Sequence, residues 1–203
     1  MHYILHKPYG VISQFITNEK KRKNKKLLGS LGDFAEGTMA IGRLDEKSEG
    51  LLLLTTDGKM SAAVRQKSIE KEYYVELDDL ITDEALAEMR KGVEIGFGGK
   101  RYTTLPCKAE RLDPFPSACE ARGSTGERDA FAPRPNQRER HRPSSWVSIT
   151  ITEGKYRQVR KMTAAVGYPT LRLIRVRIGN VLLGKLGPGE YSEAVSLPFK
   201  THD

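Results

Sequence analysis

Short segments in which apolar and polar residues alternate recur along the chain, and they constrain its fold to one built around a β-sheet. The alternation is clear at residues 70–78, 146–152 and 171–179, and it is typical of strands that bury one face. Apolar residues at helical spacing predict two helices, at about residues 82–91 and 156–166. Because helices and strands do not alternate regularly, the pattern predicts an α+β fold on an antiparallel or mixed sheet.

Two polar regions interrupt this pattern. Six of the seven residues at 20–26 are basic, and since like charges repel, we expect a mobile loop at about residues 18–30 that is either merely solvated or in contact with phosphates. Residues 113–145 contain five prolines and almost no apolar periodicity, which predicts an extended or partly disordered insertion. The length is that of one domain spanning residues 1–203.

The chain carries an excess of positive charge. It has 34 Lys and Arg residues against 26 Asp and Glu residues, a net charge of +8, which favours a polyanionic partner. The stretch from residue 155 to residue 177 has no acidic residue and contains seven basic ones, which are Lys155, Arg157, Arg160, Lys161, Arg172, Arg175 and Arg177. The strand at 171–179 would present its arginines on a single surface. A solvated basic face is the alternative interpretation of this stretch.

Several classes of protein do not fit the composition. No apolar run approaches the roughly 20 residues of a membrane helix, and the first residues lack the pattern of a signal peptide, so we expect a cytoplasmic protein. Cys107 and Cys119 are too few for a disulfide framework and have no metal-ligand spacing. His2 and His6 lie in a strand-like segment, which places them on one face without implying a metal site.

A polar loop lies between two apolar segments, at 38–41 and 51–55, that resemble buried strands. A polar loop held by rigid strands is a common location for catalytic residues. This loop contains three carboxylates, those of Asp45, Glu46 and Glu49.

The loop belongs to the first of several sequence blocks with a family resemblance. Residues 42–58, GRLDEKSEGLLLLTTDG, resemble the signature of the RsuA-type pseudouridine synthases. The blocks EKEYYV at 70–75 and EGKYRQVRKM at 153–162, the latter continuing to RVRIG at 175–179, resemble the second and third motifs of that family. Since the pattern starts at KPYG, residues 7–10, with no S4 RNA-binding domain before it, the chain is most similar to the RluE-like branch.

This resemblance implies a fold and an activity. The fold would be a mixed, largely antiparallel sheet flanked by helices, with two lobes sharing a central cleft. The activity would be the isomerisation of a specific uridine to pseudouridine in ribosomal RNA, and the RluE-like branch points to large-subunit 23S rRNA. The reaction needs no cofactor. The partner would be the RNA alone or within an assembling particle, and the protein would act as a monomer.

The resemblance also assigns roles to residues. Asp45 would be the catalytic carboxylate, acting either as a nucleophile at C1′ or as a base at C2′. Arg160 would lie against Asp45 and orient it, and Tyr73 would place its ring against the uracil. Arg43 would occupy the space that the flipped nucleotide leaves. The other predicted RNA-binding residues, most of them as phosphate ligands, are Lys71, Arg157, Lys161 and Arg175.

Two other functions compete with this one. A glycoside hydrolase would use Asp45 with Glu46 or Glu49 as an acid/base pair, but it leaves the basic stretch and the other two blocks unexplained. A noncatalytic rRNA-binding or ribosome-assembly protein would need only the basic surfaces. A third feature, the glycine-rich segment at 96–100, lacks the spacing of a phosphate loop and is interpreted as a turn.

Overall fold

The structure, a computed structural model, describes residues 1–16, 25–112, 131 and 142–201. This part of the chain contains three α-helices, which are α1 (Gly58–Val64), α2 (Asp83–Lys91) and α3 (Gln158–Ala165). Its strands are β1 (His2–Lys7), β2 (Val11–Ile12), β3 (Lys26–Leu27), β4 (Met39–Ala40), β5 (Glu49–Thr55), β6 (Lys71–Asp78), β7 (Glu94–Phe97), β8 (Lys100–Thr103), β9 (Lys108–Arg111), β10 (Ser144–Ile151), β11 (Thr170–Ile178), β12 (Val181–Leu182) and β13 (Tyr191–Ala194).

A nine-stranded sheet organises the molecule. Its main path runs β13-β1-β5-β11-β6-β10-β9, while β12 pairs with β11 and β4 pairs with β5. The contact between β5 and β11 is parallel, and the other pairings along the path are antiparallel. The expected α+β class and mixed, largely antiparallel sheet are therefore confirmed.

Both faces of the sheet are covered by apolar side chains. On β6, Tyr73, Val75 and Leu77 form a core with residues of α2 and α3. Alternate residues of β5 enter two different clusters, one containing Leu51 and Leu53 and the other Leu52 and Leu54. This strand is buried along its whole length, which explains why its centre, residues 51–54, is a continuous apolar run instead of alternating. In the described ranges no helix has the length and apolarity needed to cross a membrane.

The helix ends follow the sequence signals. The Asp57 carboxylate accepts hydrogen bonds from the first turn of α1, and the Thr82 hydroxyl accepts one from Ala85 N in α2. Gly92 follows α2 with a φ of 96°, a conformation that glycine adopts without strain. The third helix begins two residues later than expected, at Gln158, because Arg157 has a left-handed backbone with a φ of 53°.

Several expectations differ from the structure at short elements. Two short strands, β8 and β9, lie within residues 100–111, and neither β12 nor β13 was predicted. The expected mobile loop at 18–30 is wrong for its end, where β3 and a 3-10 helix at Leu28–Ser30 form and Leu28 is fully buried. The rest of that loop, residues 18–24, lies outside the described residues.

Most of the insertion predicted at 113–145 also lies outside the described residues. Its end, from Ser144, already belongs to β10. Phe131 is described: its ring stacks on Tyr74 with centroids 5.7 Å apart, and its carbonyl oxygen accepts a hydrogen bond of 2.8 Å from Arg172 Nη1. This residue contacts the face of β6 that carries Tyr74.

The arginines of β11 do not share one surface, contrary to expectation. Register shifts occur on both sides of the segment 172–175, so Arg172 lies opposite Glu76 and Arg177 opposite Glu72, while Arg175 lies opposite Tyr73. Neighbouring positions on β6 face opposite sides of the sheet. Arg175 therefore points away from Arg172 and Arg177.

Candidate active site

A cavity of about 660 Å³ opens between the β4–β5 loop, the segment before α3, and strands β6 and β11. Its volume is within the range of small-molecule sites. Six of the predicted site residues line it, namely Asp45 and Tyr73 together with Arg43, Lys71, Arg157 and Arg175. Arg160 and Lys161 are not among its lining residues in the described part of the chain.

Asp45 is held by the loop between β4 and β5, and the N-terminal segment anchors that loop. The Ser13 hydroxyl both donates to Leu44 O and accepts from Leu44 N, at 2.8 and 3.0 Å. Gly10 N donates to Glu46 O at 2.8 Å. These hydrogen bonds fix the backbone immediately before and after Asp45.

Lys7 lies beneath this loop and is fully buried. Its Nζ donates to three carbonyl oxygens, those of Pro8, Val11 and Glu46, at 2.9, 2.7 and 3.4 Å. Burial lowers the pKa of Lys7 to about 7, although the nearby negative charges of Glu49, Asp45 and Glu46 oppose this shift. The residue thus joins β1, the following turn and the loop of Asp45.

The carboxylate of Asp45 forms an ion pair with Arg157, and Oδ2 lies 3.3 Å from Nη1. The two side chains are 24% and 36% exposed, so the pair is accessible at the mouth of the cavity. The sequence predicted Arg160 as the partner. In the structure, Arg160 Nη2 donates to Lys47 O at 2.8 Å and to Ser48 Oγ at 3.3 Å, further along the same loop.

This difference comes from the start of α3. A regular helix beginning near Tyr156 would place Arg157 on the polar face with Arg160. Because Arg157 instead precedes the helix in a left-handed conformation, its side chain is free to reach Asp45. Residues in such sparsely populated conformations often occur at functional sites.

Tyr73 forms a wall of the cavity. It is 9% exposed, and apolar lining residues lie near it, namely Ile151, Val159 and Leu173. Tyr74, the next residue on β6, faces the other side of the sheet, where it contacts Phe131. The expectation that only the first of these tyrosines faces the cleft agrees with this arrangement.

Lys71 and Arg175 lie deeper than phosphate ligands at a surface would. Arg175 is 6% exposed, and its Nε donates to Leu51 O at 2.7 Å. Lys71 Nζ donates to Thr152 O at 2.9 Å. Burial, and secondly the positive charge of Arg175, lower the pKa of Lys71.

Other basic side chains lie at or near the rim of the cavity. Arg43 is exposed. Lys155 Nζ lies 4.9 Å from the ring centroid of Phe97 and 4.8 Å from that of Tyr102. Lys161 Nζ donates to Gly96 O at 2.6 Å, which links α3 to the turn between β7 and β8. That turn, with Gly98 and Gly99 both at positive φ, agrees with the interpretation of residues 96–100.

Glu153 is a buried acid that the sequence did not single out. It accepts hydrogen bonds from Tyr102 Oη at 2.5 Å, Leu105 N at 2.8 Å and Gln158 Nε2 at 2.6 Å. These contacts tie the first residue of α3 to the segment after β8, beside the cavity. Its only signal in the sequence was a position within the third motif block.

Part of the basic stretch is neutralised on the opposite face of the sheet. Arg172 forms a buried ion pair with Glu49 at 2.8 Å. Arg177 pairs with both Glu70 and Glu72, at 2.9 and 2.7 Å. These acids precede the basic stretch by about a hundred residues. The stretch therefore carries less uncompensated positive charge than its own residues suggest. Within the described ranges, no group of three or more His, Cys, Asp or Glu side chains is arranged to hold a metal ion.

Comparisons with known proteins agree with this geometry. The family model for RNA pseudouridylate synthase matches residues 1–165. A ribosomal large subunit pseudouridine synthase E from Xanthomonas axonopodis pv. citri (strain 306) is 39% identical over 91% of this chain and 89% of its own length. The protein of that name from Vibrio parahaemolyticus serotype O3:K6 (strain RIMD 2210633) is 37% identical over 94% of this chain and 72% of its own length.

Solved structures extend the comparison to the fold. A crystal structure of a pseudouridylate synthase superposes with a TM-score of 0.69 at 28% identity, covering 94% of this chain and 68% of the other. Human RNA pseudouridylate synthase domain containing 1, at 13% identity and a TM-score of 0.51, shares the fold. An acidic loop and an aromatic strand meeting at one cavity, and a family match over most of the chain, lead to one conclusion: the chain belongs to the RNA pseudouridylate synthase family.

Proposed function

We propose that this protein isomerises a specific uridine of large-subunit ribosomal RNA, the 23S rRNA of bacteria, to pseudouridine, with Asp45 as the catalytic carboxylate. The observation that carries the proposal is the Asp45–Arg157 ion pair at the mouth of a cavity walled by Tyr73. The names of the relatives support the choice of large-subunit RNA. Such a substrate also implies action in the cytoplasm.

The isomerisation breaks one bond to the ribose and forms another. When the bond between C1′ and N1 breaks, its electron pair stays on the base. Asp45 would either bond to C1′ or take the proton from C2′. The base then turns and C5 bonds to C1′, while on the first route the Asp45–C1′ bond breaks and on the second the proton taken from C2′ returns to C2′. The proton on C5 leaves and N1 gains a proton, so that the product has the atoms of the substrate.

The other side chains would hold the RNA and the carboxylate. Arg157 and Arg160 would fix Asp45 and its loop, since they contact the carboxylate and the following backbone respectively. Tyr73 would stack on the base, as aromatic side chains do with extruded nucleotides. Arg43 would fill the space that the flipped nucleotide leaves, and Lys155 and Lys161 would contact backbone phosphates. A monomer offers all these groups, with either free RNA or an assembling particle as the substrate.

Replacing Asp45 tests this function. We expect Asp45→Ala and Asp45→Asn to abolish tritium release from rRNA labelled at C5 of uridine, because of the three carboxylates in this loop only that of Asp45 lines the cavity. RNA binding should be retained within about threefold, since one carboxylate contributes little to contacts that are dominated by phosphates. Sequencing of pseudouridines in the reacted rRNA would identify the target.

The matched control is Glu46→Gln, which changes the neighbouring carboxylate of the same loop. Its release rate should stay close to that of the parent protein. Unchanged release by Asp45→Ala would remove Asp45 from the mechanism. A parent protein that binds rRNA tightly and releases no tritium from any rRNA would instead indicate a noncatalytic RNA-binding protein.

A further inference from the structure

We propose that Arg175, assisted by Lys71, donates a hydrogen bond to a carbonyl oxygen of the target uracil and holds the base inside the cavity while it is detached from the ribose. This subsite rests on the proposed function. It differs from the phosphate contact that the sequence predicted for Arg175 and makes the predicted RNA binding of Lys71 specific to the base.

The guanidinium of Arg175 is buried, oriented and incompletely used. Its Nε is fixed by the hydrogen bond to Leu51 O. Its Nη2 is also buried, and among the described residues it has no hydrogen-bond partner. An unpaired buried donor costs free energy, and for a charged group the cost is greater. A donor held in this state on a cavity wall is expected to have its acceptor in the ligand.

The position of Arg175 relates this donor to the base. Arg175 lies directly opposite Tyr73 in the antiparallel pairing of β6 and β11, so both side chains project from the same face of the sheet. Leu173, two residues earlier on that strand, also lines the cavity. A pyrimidine packed against Tyr73 and Leu173 would therefore direct an edge, with its polar atoms, toward Arg175.

The charge of this wall favours an electron-rich ligand. Lys71 lines the same cavity, and neither Lys71 nor Arg175 forms an ion pair within the part of the chain that the structure describes. Burial and the nearby guanidinium both lower the pKa of Lys71. Two cationic groups without a carboxylate partner are stabilised when an acceptor or a negative charge enters between them.

A base carbonyl fits this wall better than a phosphate does. The phosphates of the RNA remain on the backbone, outside the cavity, where exposed Arg43 and the rim lysine Lys155 are available. Once the C1′–N1 bond breaks, the electron pair left on N1 is shared with O2 and O4 of the uracil. A hydrogen bond to either oxygen becomes stronger because that oxygen now carries negative charge. Arg175 would therefore stabilise the base most strongly while the base is detached from the ribose.

Sulfur substitution in the substrate can detect this hydrogen bond. The RNA identified by pseudouridine sequencing is prepared with uridine, 2-thiouridine or 4-thiouridine at the target position, because sulfur is a weak acceptor. Arg175→Lys should slow isomerisation of the uridine RNA by about 100-fold, with little change in RNA affinity. One of the two sulfur substitutions should slow the parent protein about 10-fold more than it slows Arg175→Lys. Effects of sulfur on the chemistry itself are common to both proteins and cancel in this ratio.

Arg172→Lys is the matched control. This arginine is buried on the same strand but pairs with Glu49 on the opposite face, so its variant should keep the full sulfur effect. If circular dichroism shows that Arg175→Lys does not fold, Lys71→Gln takes its place with the same expected loss of the sulfur effect.

Equal sulfur effects in parent and variant would overturn the subsite. So would an Arg175→Gln variant that binds RNA more weakly with a reduced salt dependence, since the loss of charge would then identify Arg175 as a phosphate ligand. In both cases a parent protein that still isomerises the uridine RNA leaves the proposed function standing. A parent that isomerises no rRNA overturns the proposed function and the subsite with it.

Discussion

Arg157 combines an unusual backbone with a contact to the catalytic candidate. It is one of two non-glycine residues with positive φ in the described part of the chain, and its guanidinium reaches Asp45 from a point 112 residues away in sequence. The left-handed conformation costs a non-glycine residue about 1 kcal/mol. The conformation that directs this side chain to the carboxylate therefore lowers the stability of the folded protein slightly.

Replacing Arg157 with glycine and with alanine separates these two effects. Both variants remove the ion pair, so isomerisation should fall by about 100-fold in each, because the carboxylate is no longer held in place. Arg157→Gly should be more stable than Arg157→Ala by about 1 kcal/mol, since glycine adopts the left-handed conformation without strain. Urea unfolding and tritium release measure the two quantities. If the more stable Arg157→Gly kept clearly more activity than Arg157→Ala, the loss would be due to stability, and the role of the Arg157 side chain would be contradicted.

At the scale of single residues, the sequence predicted the site in part. Asp45 and Tyr73 belong to blocks long enough to be recognised, and both line the cavity. The family resemblance assigned Arg160 to the position beside Asp45, whereas Arg157 forms the ion pair, because the contact depends on the backbone angle at which α3 begins. The buried, unpaired Nη2 of Arg175 could not be predicted either, because strands that are distant in sequence bury it.

Among the elements, the parallel contact between β5 and β11 brings the loop of Asp45 to the arginine strand. At this contact Gly50 has a φ of 99°, and a Cβ built there would lie 2.3 Å from the carbonyl oxygen of Arg175. Only a residue without a side chain permits the two backbones to approach this closely. Gly50 therefore fixes the distance between the catalytic loop and the inner wall of the cavity.

Gly50→Ala should destabilise the protein by about 3 kcal/mol, because both the left-handed backbone and the contact with a backbone oxygen resist a methyl group. Gly58→Ala is the control: Gly58 begins α1 and has open space around its Cβ position. That variant should be stabilised by up to about 1 kcal/mol. Denaturant unfolding of both proteins checks the contrast. Equal stabilities would show that β11 can move at little cost to make room for a methyl group at position 50.

The predictability of each element depended on its length. Long alternating segments, such as those that became β6, β10 and β11, were identified because several residues share one face. Two-residue strands such as β3 and β12 carry no period, and they form only because tertiary structure places a partner strand beside them. The register shifts of β11 likewise arise from its pairing with β6 and leave no signal in the sequence. The alternation alone therefore assigned all arginines of this strand to one face.

Over the whole molecule, the net positive charge divides into a free and a neutralised part. Arg43 is exposed at the rim of the cavity. Arg177, on the other face of the sheet, is held by Glu70 and Glu72. Counterions are released from RNA only where a free cation approaches a phosphate. The rim, and not the full basic stretch, should therefore set the salt dependence of binding.

Two single substitutions test this division. Arg43→Gln should reduce the slope of log affinity against log salt by about 0.7–0.9, the effect of one phosphate contact. Arg177→Gln should leave that slope unchanged, because its charge is already compensated by two carboxylates. Filter binding of rRNA fragments between low and moderate salt gives both slopes. A larger effect for Arg177→Gln would place the RNA on the opposite face.

The pairing of β1 with β13 and of β5 with β11 has a consequence for biosynthesis. The carboxylate, the aromatic wall and the guanidinium groups come from the beginning, middle and last third of the chain, and the sheet that unites them needs strands from each. A ribosome must therefore release nearly the whole polypeptide before a functional pocket exists. We therefore expect a nascent chain to have no isomerase activity until β11 and β13 have joined the sheet.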